Sequence, residues 1–291
     1  MSKFDVLYLD LCDDILTHGF REKGRNGYTF RIPGRHWVID LGEEFPILTS
    51  KKTAWKSAVR EMYWIWKENS IDVRWLQERG IHIWDKFEID EDGYYTNPDT
   101  GEVKFFGEEY AHTIGTSYGY IIANGGEPNK PNQIIEAIRK IKEEPADRRN
   151  IVTMWQPPFF GKAVLPPCVY KVQFLVINGK LYLFVEQRSC DTFIGLPFNV
   201  PQYAALGLHI AHVCGLKPGQ LHYNIVDAHI YEEHVDVVKE MLSRRDEILP
   251  APKVWINPEV KNFFEFEDKN LDDFKLIDYQ HLGELKGVVK A

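Results

Sequence analysis

An α+β fold, rather than a doubly wound sheet, is predicted for this 291-residue chain on three observations. Segments with helical and with strand periodicity are mixed without a βαβ rhythm. The clearest strand signal is a hairpin, VYKVQFLVINGKLYLFVEQRS, in which Val172, Phe174 and Val176 alternate up to Asn178-Gly179, and Leu181, Leu183 and Val185 resume after it. The segment after it, Asn199 to Cys214, is apolar on nearly every face and stops at Gly215, which marks a helix at the centre of the protein.

The remaining elements follow in order. Phe4 to Leu16 has helical spacing and a cap at Gly19. Arg21 to Gly27 reads as a basic, glycine-containing loop, and Arg31 to Ile39 as a strand. From Thr53, TAWKSAVREMYWIWKE forms a helix with Trp55, Val59, Met62, Tyr63 and Trp66 on one broad apolar face. The turn-rich stretch from Asp90 to Gly107 reads as a surface insertion folded as a small hairpin or loop. Pro131 to Glu143 is a further helix. No repeat or low-complexity linker divides the chain, so residues 1–291 are read as one domain.

Hydrophobic residues at 44% and charged residues at 27% exclude intrinsic disorder. The net charge of −8 opposes a role in coating nucleic acid, although cations can still be gathered on an anionic ligand. No apolar stretch approaches the ~18 residues of a membrane span, and the first residues do not read as a leader, so a cytoplasmic protein is expected.

Cys12, Cys168, Cys190 and Cys214 contain no CxxC pair, and four free thiols are expected. Cys168 follows Leu165-Pro166-Pro167, which fixes the backbone before the thiol. It is either a projected nucleophile or a buried cysteine at a strand start. A nucleophilic role needs a nearby cation, because a free thiol is only slightly ionised at neutral pH, and Arg188 is the candidate. Arg188 ends an apolar strand before Ser189-Cys190-Asp191, where a phosphate would suit its planar fork. Arg148-Arg149 reads by itself as a solvated pair. Glu61 is exposed by helical position; if buried, its pKa rises and it can move protons near neutrality. The pairs His209/His212 and His229/His234 lack HExxH spacing and a third ligand, so no metal site is expected. Signatures of dinucleotide, NTP and serine-hydrolase sites are absent.

Taken together, several blocks are more specific. QRSCDTFIGLPFNVPQY (Gln187 to Tyr203), PPC (Pro166 to Cys168), DRRNIVTMW (Asp147 to Trp155), IWD (Ile83 to Asp85), FPILTSKK (Phe45 to Lys52) and DAHIYEEHVD (Asp227 to Asp236) stand in one order. The chain thereby resembles the folate-dependent, flavin-independent thymidylate synthases from near Phe4 to its end.

The resemblance implies a single α+β domain with a mixed β-sheet packed with helices, a homodimer formed through the sheet face, and conversion of dUMP to dTMP. Methylenetetrahydrofolate would be consumed as carbon and hydride donor, with no metal and no flavin. It implies Cys168 as the nucleophile adding to C6 of uracil, Glu61 and Tyr118 moving protons, and Asn199 reading the uracil edge. Arg188 and Asp191 belong to the same catalytic set. The nucleotide would be held by Arg21 (or Arg25 of the same loop), Arg188, Ser189, Cys190, Asp191, Asn199, His229 and Tyr231, and by Arg148 and Arg149 donated from the partner. Ile83, Trp84, Asp191, Gly195, Phe198 and the terminal Ala291 would line the folate pocket. The chain departs from the family at Val169, often histidine, and at Lys290, usually small and apolar. The rival readings are a pyrimidine nucleotide hydroxymethylase and a catalytically silent nucleotide or RNA binder.

Overall fold

The computed structural model describes residues 1–290. Its N-terminal helix α1 (Lys3–His18) starts where the Ser2 side chain accepts from the Asp5 amide and ends where the Gly19 N–H returns to the Ile15 carbonyl. β1 (Phe20–Gly24) and β2 (Gly27–Asp40) then form an antiparallel hairpin. Its turn is Arg25-Asn26, followed by Gly27 at φ +122°. The expected basic loop is therefore largely strand. Every residue of β1 is exposed at the sheet edge, so no apolar alternation marks it.

α2 (Trp55–Met62) continues into a π-helical turn, Tyr63–Lys67. The wider turn rotates the buried face. Val59, Met62, Tyr63 and Trp66 are buried as expected, but Ala58, Glu61, Trp64 and Ile65 are buried too, and Trp55 only partly. A short helix α3 (Arg74–Gln77) precedes β3 (Tyr94–Thr96) and β4 (Val103–Phe105), which pair antiparallel within the 90–107 segment. Ile89, Tyr95 and Phe106 give this hairpin a small core of its own.

Next come α4 (Tyr118–Asn124), α5 (Gln133–Glu143), capped by the Asn132 side chain, β5 (Ile151–Thr153) and α6 (Pro157–Phe160). β6 (Val169–Ile177) and β7 (Lys180–Gln187) form the expected hairpin, with Asn178 and Gly179 at φ 49° and 69° as a two-residue turn of this kind requires. After the short β8 (Cys190–Asp191), helix α7 (Leu196–Val213) begins three residues before the expected Asn199 and is buried along nearly its whole length. β9 (Lys217–Tyr231), α8 (Val235–Ser243), and the antiparallel pair β10 (Lys253–Ile256) and β11 (Phe274–Ile277) complete the described elements.

The main sheet has the order β1-β2-β9-β7-β6-β5, with β8 also on β9. β9 runs antiparallel to β2 but parallel to β7 and β8, so the sheet is mixed. The parallel pairing of β7 with β9 makes β7-α7-β9 a βαβ crossover, while the β1-β2, β2-β9, β7-β6 and β6-β5 pairs are antiparallel. α7 lies very close to β7: a Cβ on Gly207 would meet both methyl carbons of Leu183 at 3.0 and 3.1 Å. One face of the sheet therefore packs on α7, burying Leu181, Leu183, Val185, Leu221, Tyr223 and Ile225. The alternate residues, among them Phe184, His222 and Val226, stand on the opposite face, which no described element covers.

Candidate active site

At one end of this sheet, the strand ends of β7, β8 and β9, the β1–β2 turn and the PPC segment surround a cleft of about 510 Å³. Its lining includes Cys168, Arg188, Ser189, Asp191, His229 and Tyr231, together with Arg25, Arg31, Trp155 and Lys290.

Cys168 is partly exposed to the cleft. Its amide donates to the Tyr118 hydroxyl at 2.8 Å, which pins the phenol beside the thiol. Tyr118 is buried and has φ +26°, a left-handed backbone at the start of α4 that costs a non-glycine residue about 1–3 kcal/mol. Burial pushes its hydroxyl pKa well above 10. Arg188 holds the other side of the cysteine. Its Nε and Nη2 donate to the carbonyls of Pro167 and Pro166 at 3.0 and 2.8 Å, and Nη2 lies 3.9 Å from the Cys168 Sγ. Prolines have no N–H but keep their carbonyls, so the PPC bend is fastened through these two acceptors. The sequence expectation was a thiolate favoured by Arg188. Arg188 does pull the thiol pKa down, ahead of Tyr118 and Arg25, but burial is the larger influence and leaves it raised overall.

Glu61, expected to be exposed, is buried at 7%. Its Oε1 accepts from Trp84 Nε1 at 2.6 Å and its Oε2 from Gln202 Nε2 at 2.9 Å. Burial pushes the carboxyl from 4.5 up to about 7, against these two donors. A buried acid with that pKa can hold or release a proton near neutrality. The Trp84 ring also packs on Tyr118, at 5.6 Å between centroids, so Glu61, Trp84, Tyr118 and Cys168 form one connected set.

Asn199 is oriented by a relay. The Tyr223 hydroxyl donates to Gln187 Oε1 at 2.6 Å, and Gln187 Nε2 donates to Ser189 O at 2.9 Å and to Asn199 Oδ1 at 3.2 Å. The Asn199 oxygen thus faces Gln187 and its NH2 group points away from that contact. Asp191 Oδ1 accepts from the amides of Phe193 and Ile194, both at 3.0 Å. His229 Nδ1 lies 3.3 Å from Asp227 Oδ1, and Asp227 is also paired with Arg31.

Other expected residues lie elsewhere. Arg21 is held outside the cleft by Glu232, at 2.7 and 3.0 Å, and stacks on Tyr28; Arg25, from the same hairpin, lines the cleft instead. Cys190 is fully buried, and burial raises its thiol pKa well above the usual value, so it does not face a ligand. Arg148 and Arg149 are exposed on a loop away from the cleft, with Arg149 fastened to Asp147 at 2.9 Å. Of the expected folate contacts, Asp191 lines the cleft. Trp84 is buried against Phe87 of the cleft wall, Ile83, Gly195 and Phe198 are half-buried and do not line the cleft, and Ala291 lies outside the described residues.

His209 is a core histidine: buried, bonded to Tyr63 Oη at 2.8 Å and Ala205 O at 2.6 Å, with its pKa lowered to about 4 by burial. Among the described residues no group of three His, Cys, Asp or Glu side chains is placed to hold a metal ion, and no helix is long and apolar enough to cross a membrane. The sequence reading missed Gln187, Gln202 and Trp155. Gln202 carried a signal, a buried amide in a helix that is apolar along most of its length. Gln187 and Trp155 carried none beyond their motif blocks.

A mixed sheet whose strand ends gather a thiol and several arginines around one cleft, with a buried carboxylic acid on α2 connected to the thiol through Trp84 and Tyr118, defines an α+β enzyme with a thiol-bearing site lined by cations. The sequence profile described as thymidylate synthase matches residues 6–291. A thymidylate synthase of Clostridium beijerinckii is 40% identical over 287 residues, covering 98% of each chain. Thymidylate synthase 1 of Bacillus subtilis is 37% identical over 295 residues, covering 97% of this chain and 96% of the relative. The solved structure of the thermostable thymidylate synthase A from Bacillus subtilis superposes with a TM-score of 0.83 at 36% identity, covering 98% of this chain and 99% of that one. The chain belongs to the thymidylate synthase family and is a methyltransferase.

Proposed function

We propose that this enzyme methylates dUMP to dTMP, consuming methylenetetrahydrofolate and releasing dihydrofolate. The observation that carries this reading is the Cys168 thiol, open to a cleft and set between Arg188 and Tyr118. The nucleotide phosphate is received by Arg25, Arg188 and Ser189, and the deoxyribose by His229 and Tyr231. Asn199, oriented by Gln187, meets the uracil edge with an amide that donates and accepts. The Cys168 sulfur adds to C6 of the ring, which makes C5 nucleophilic. Burial holds the thiol pKa up while Arg188 pulls it down, so Arg188 favours the thiolate that makes this addition. Glu61 exchanges protons at the base, and Tyr118 assists removal of the C5 proton before the Cys168–C6 bond breaks.

The folate supplies the one-carbon unit and the hydride when bound. Asp191, an acceptor on the cleft wall, suits the N–H groups of a pterin, and Phe87 and Trp155 offer apolar walls to its ring. No metal or flavin enters these steps.

The uncovered sheet face with Phe184, His222 and Val226 is the surface through which we place a homodimer. Arg148 and Arg149, free of their own cleft, are then available to the partner's phosphate. The test is incubation of purified protein with dUMP and methylenetetrahydrofolate, following dihydrofolate absorbance and nucleotide product together. Dihydrofolate and dTMP are expected in equal amounts. Hydroxymethylated nucleotide with tetrahydrofolate would make the enzyme a hydroxymethylase, and bound but unchanged dUMP would make it a silent binder.

A further inference from the structure

The chain's last described residues lie across the mouth of the cleft, fastened at four points. Lys86 Nζ donates to the Val289 carbonyl at 2.8 Å, and Lys290 Nζ reaches Glu233 Oε2 at 3.0 Å while lining the cleft. Gly287 sits so tightly that a Cβ would meet Ile194 Cδ1 at 2.7 Å, Phe193 Cε1 at 2.8 Å and His234 Nε2 at 2.9 Å. The fourth point is the Val288 amide, which donates to His234 Nε2 at 3.1 Å.

His234 is almost completely buried at the start of α8, between the rings of Phe193 and Tyr231 at 5.2 and 6.1 Å. Because Nε2 accepts, the ring proton of the neutral form is on Nδ1, which has no hydrogen-bond partner among the described residues. Gaining a second proton would turn Nε2 into a donor facing another donor, and the contact to Val288 would be lost. We propose that His234 is a positioning residue of this enzyme: neutral, it anchors the C-terminal strap over the cleft, and protonated, it releases the strap.

The proposal rests on the synthase reading for its effect on turnover, and on the strap geometry alone for the anchoring. The surrounding charges oppose one another. Asp191 from β8 and Glu233, with Oε1 3.9 Å from Nε2, favour protonation; Lys51, whose Nζ donates to Phe193 O at 2.7 Å, and Lys290 oppose it. Burial is the largest influence and favours the neutral ring. With the anchored ring's pKa below that of a free histidine, anchoring is complete at alkaline pH and weakens as pH falls below about 6.5.

The test uses hydrogen exchange of the full-length protein, read by mass spectrometry on the C-terminal peptide and normalised to the unfolded chain at each pH. Wild type is expected to protect this peptide at pH 8 and lose protection towards pH 5. His234→Phe keeps a ring but no acceptor, and its strap amides are expected to exchange about five- to tenfold faster at pH 8, the loss of one hydrogen bond. His234→Gln keeps an acceptor that does not titrate and is expected to hold protection at both pH values. Gly287→Ala, whose methyl would collide with Ile194, Phe193 and His234 Nε2, is expected to push the strap off its seat and speed exchange at both pH values.

In turnover, His234→Phe is expected to raise KM for the folate with dUMP affinity unchanged, and His234→Gln to lose that pH dependence. Wild-type protection in His234→Phe or Gly287→Ala, or an unchanged acid loosening in His234→Gln, would overturn the proposal. Absence of any turnover with the exchange results as expected would overturn the synthase reading and leave the anchor standing.

Discussion

Replacing Glu61 with glutamine separates the cost of burying its carboxylate from the benefit of its chemistry. The side chain is buried, and its pKa is raised from 4.5 to about 7 because desolvation outweighs the donors of Trp84 and Gln202. A group with a raised folded-state pKa binds more protons folded than unfolded, so stability falls as pH rises between those two values. A shift of this size is worth roughly 3 kcal/mol. Glutamine has almost the same shape and can still accept from Trp84, while the Gln202 amide can turn to accept from the new NH2 group. Urea denaturation of wild type and Glu61→Gln from pH 4.5 to 8.5 is expected to give curves that diverge as pH rises, the variant gaining roughly 3 kcal/mol relative to wild type by the alkaline end. The same variant is expected to lose about 10²–10⁴-fold in turnover, the usual share of a positioned acid or base. Parallel stability curves would refute the claim that this carboxyl is buried at a cost, and near-wild-type turnover would remove it from the proton path.

Arg25→Ala is expected to weaken dUMP binding by about tenfold to a hundredfold, the worth of one charge-assisted contact, as titration calorimetry would read. Arg21→Ala, which breaks only the pair with Glu232, is expected to change affinity far less, and the reverse order would return the phosphate to Arg21. Arg188→Leu removes the strongest pull on the Cys168 thiol and two carbonyl contacts; the pH midpoint of Cys168 alkylation is expected to move alkaline, and an unchanged midpoint would leave Arg188 without that role. Cys168→Ala and Arg149→Glu are each expected to be inactive alone, and to recover part of the activity when mixed and allowed to exchange subunits. No recovery despite demonstrated exchange would count against an arginine shared across the dimer.

Local chemistry in the sequence was sufficient for the β6–β7 hairpin, because Asn178-Gly179 supplies two positive φ values and the flanking alternation fixes the register. It was sufficient for α1, with its Gly19 cap, and for α7, whose lack of a polar face leaves only the centre of the molecule. It brought forward Cys168 and Arg188 as candidates, since two prolines before a thiol and an arginine at the end of an apolar strand are visible in one dimension; Asp191 came only with the family resemblance. β1 was not legible, because a fully exposed edge strand buries no apolar face. The burial of Glu61 was decided by the π-turn after α2 and by the arrival of Trp84 and Gln202 from distant segments. The choice of Arg25 over Arg21 came from Glu232, 211 residues away from Arg21. The same holds for the orientation of Asn199 through Gln187 and Tyr223, and for the raised thiol pKa of Cys168. Residue type and spacing determine which groups are available; desolvation and hydrogen-bond partners set their protonation and direction, and these exist only once segments far apart in the chain have packed together.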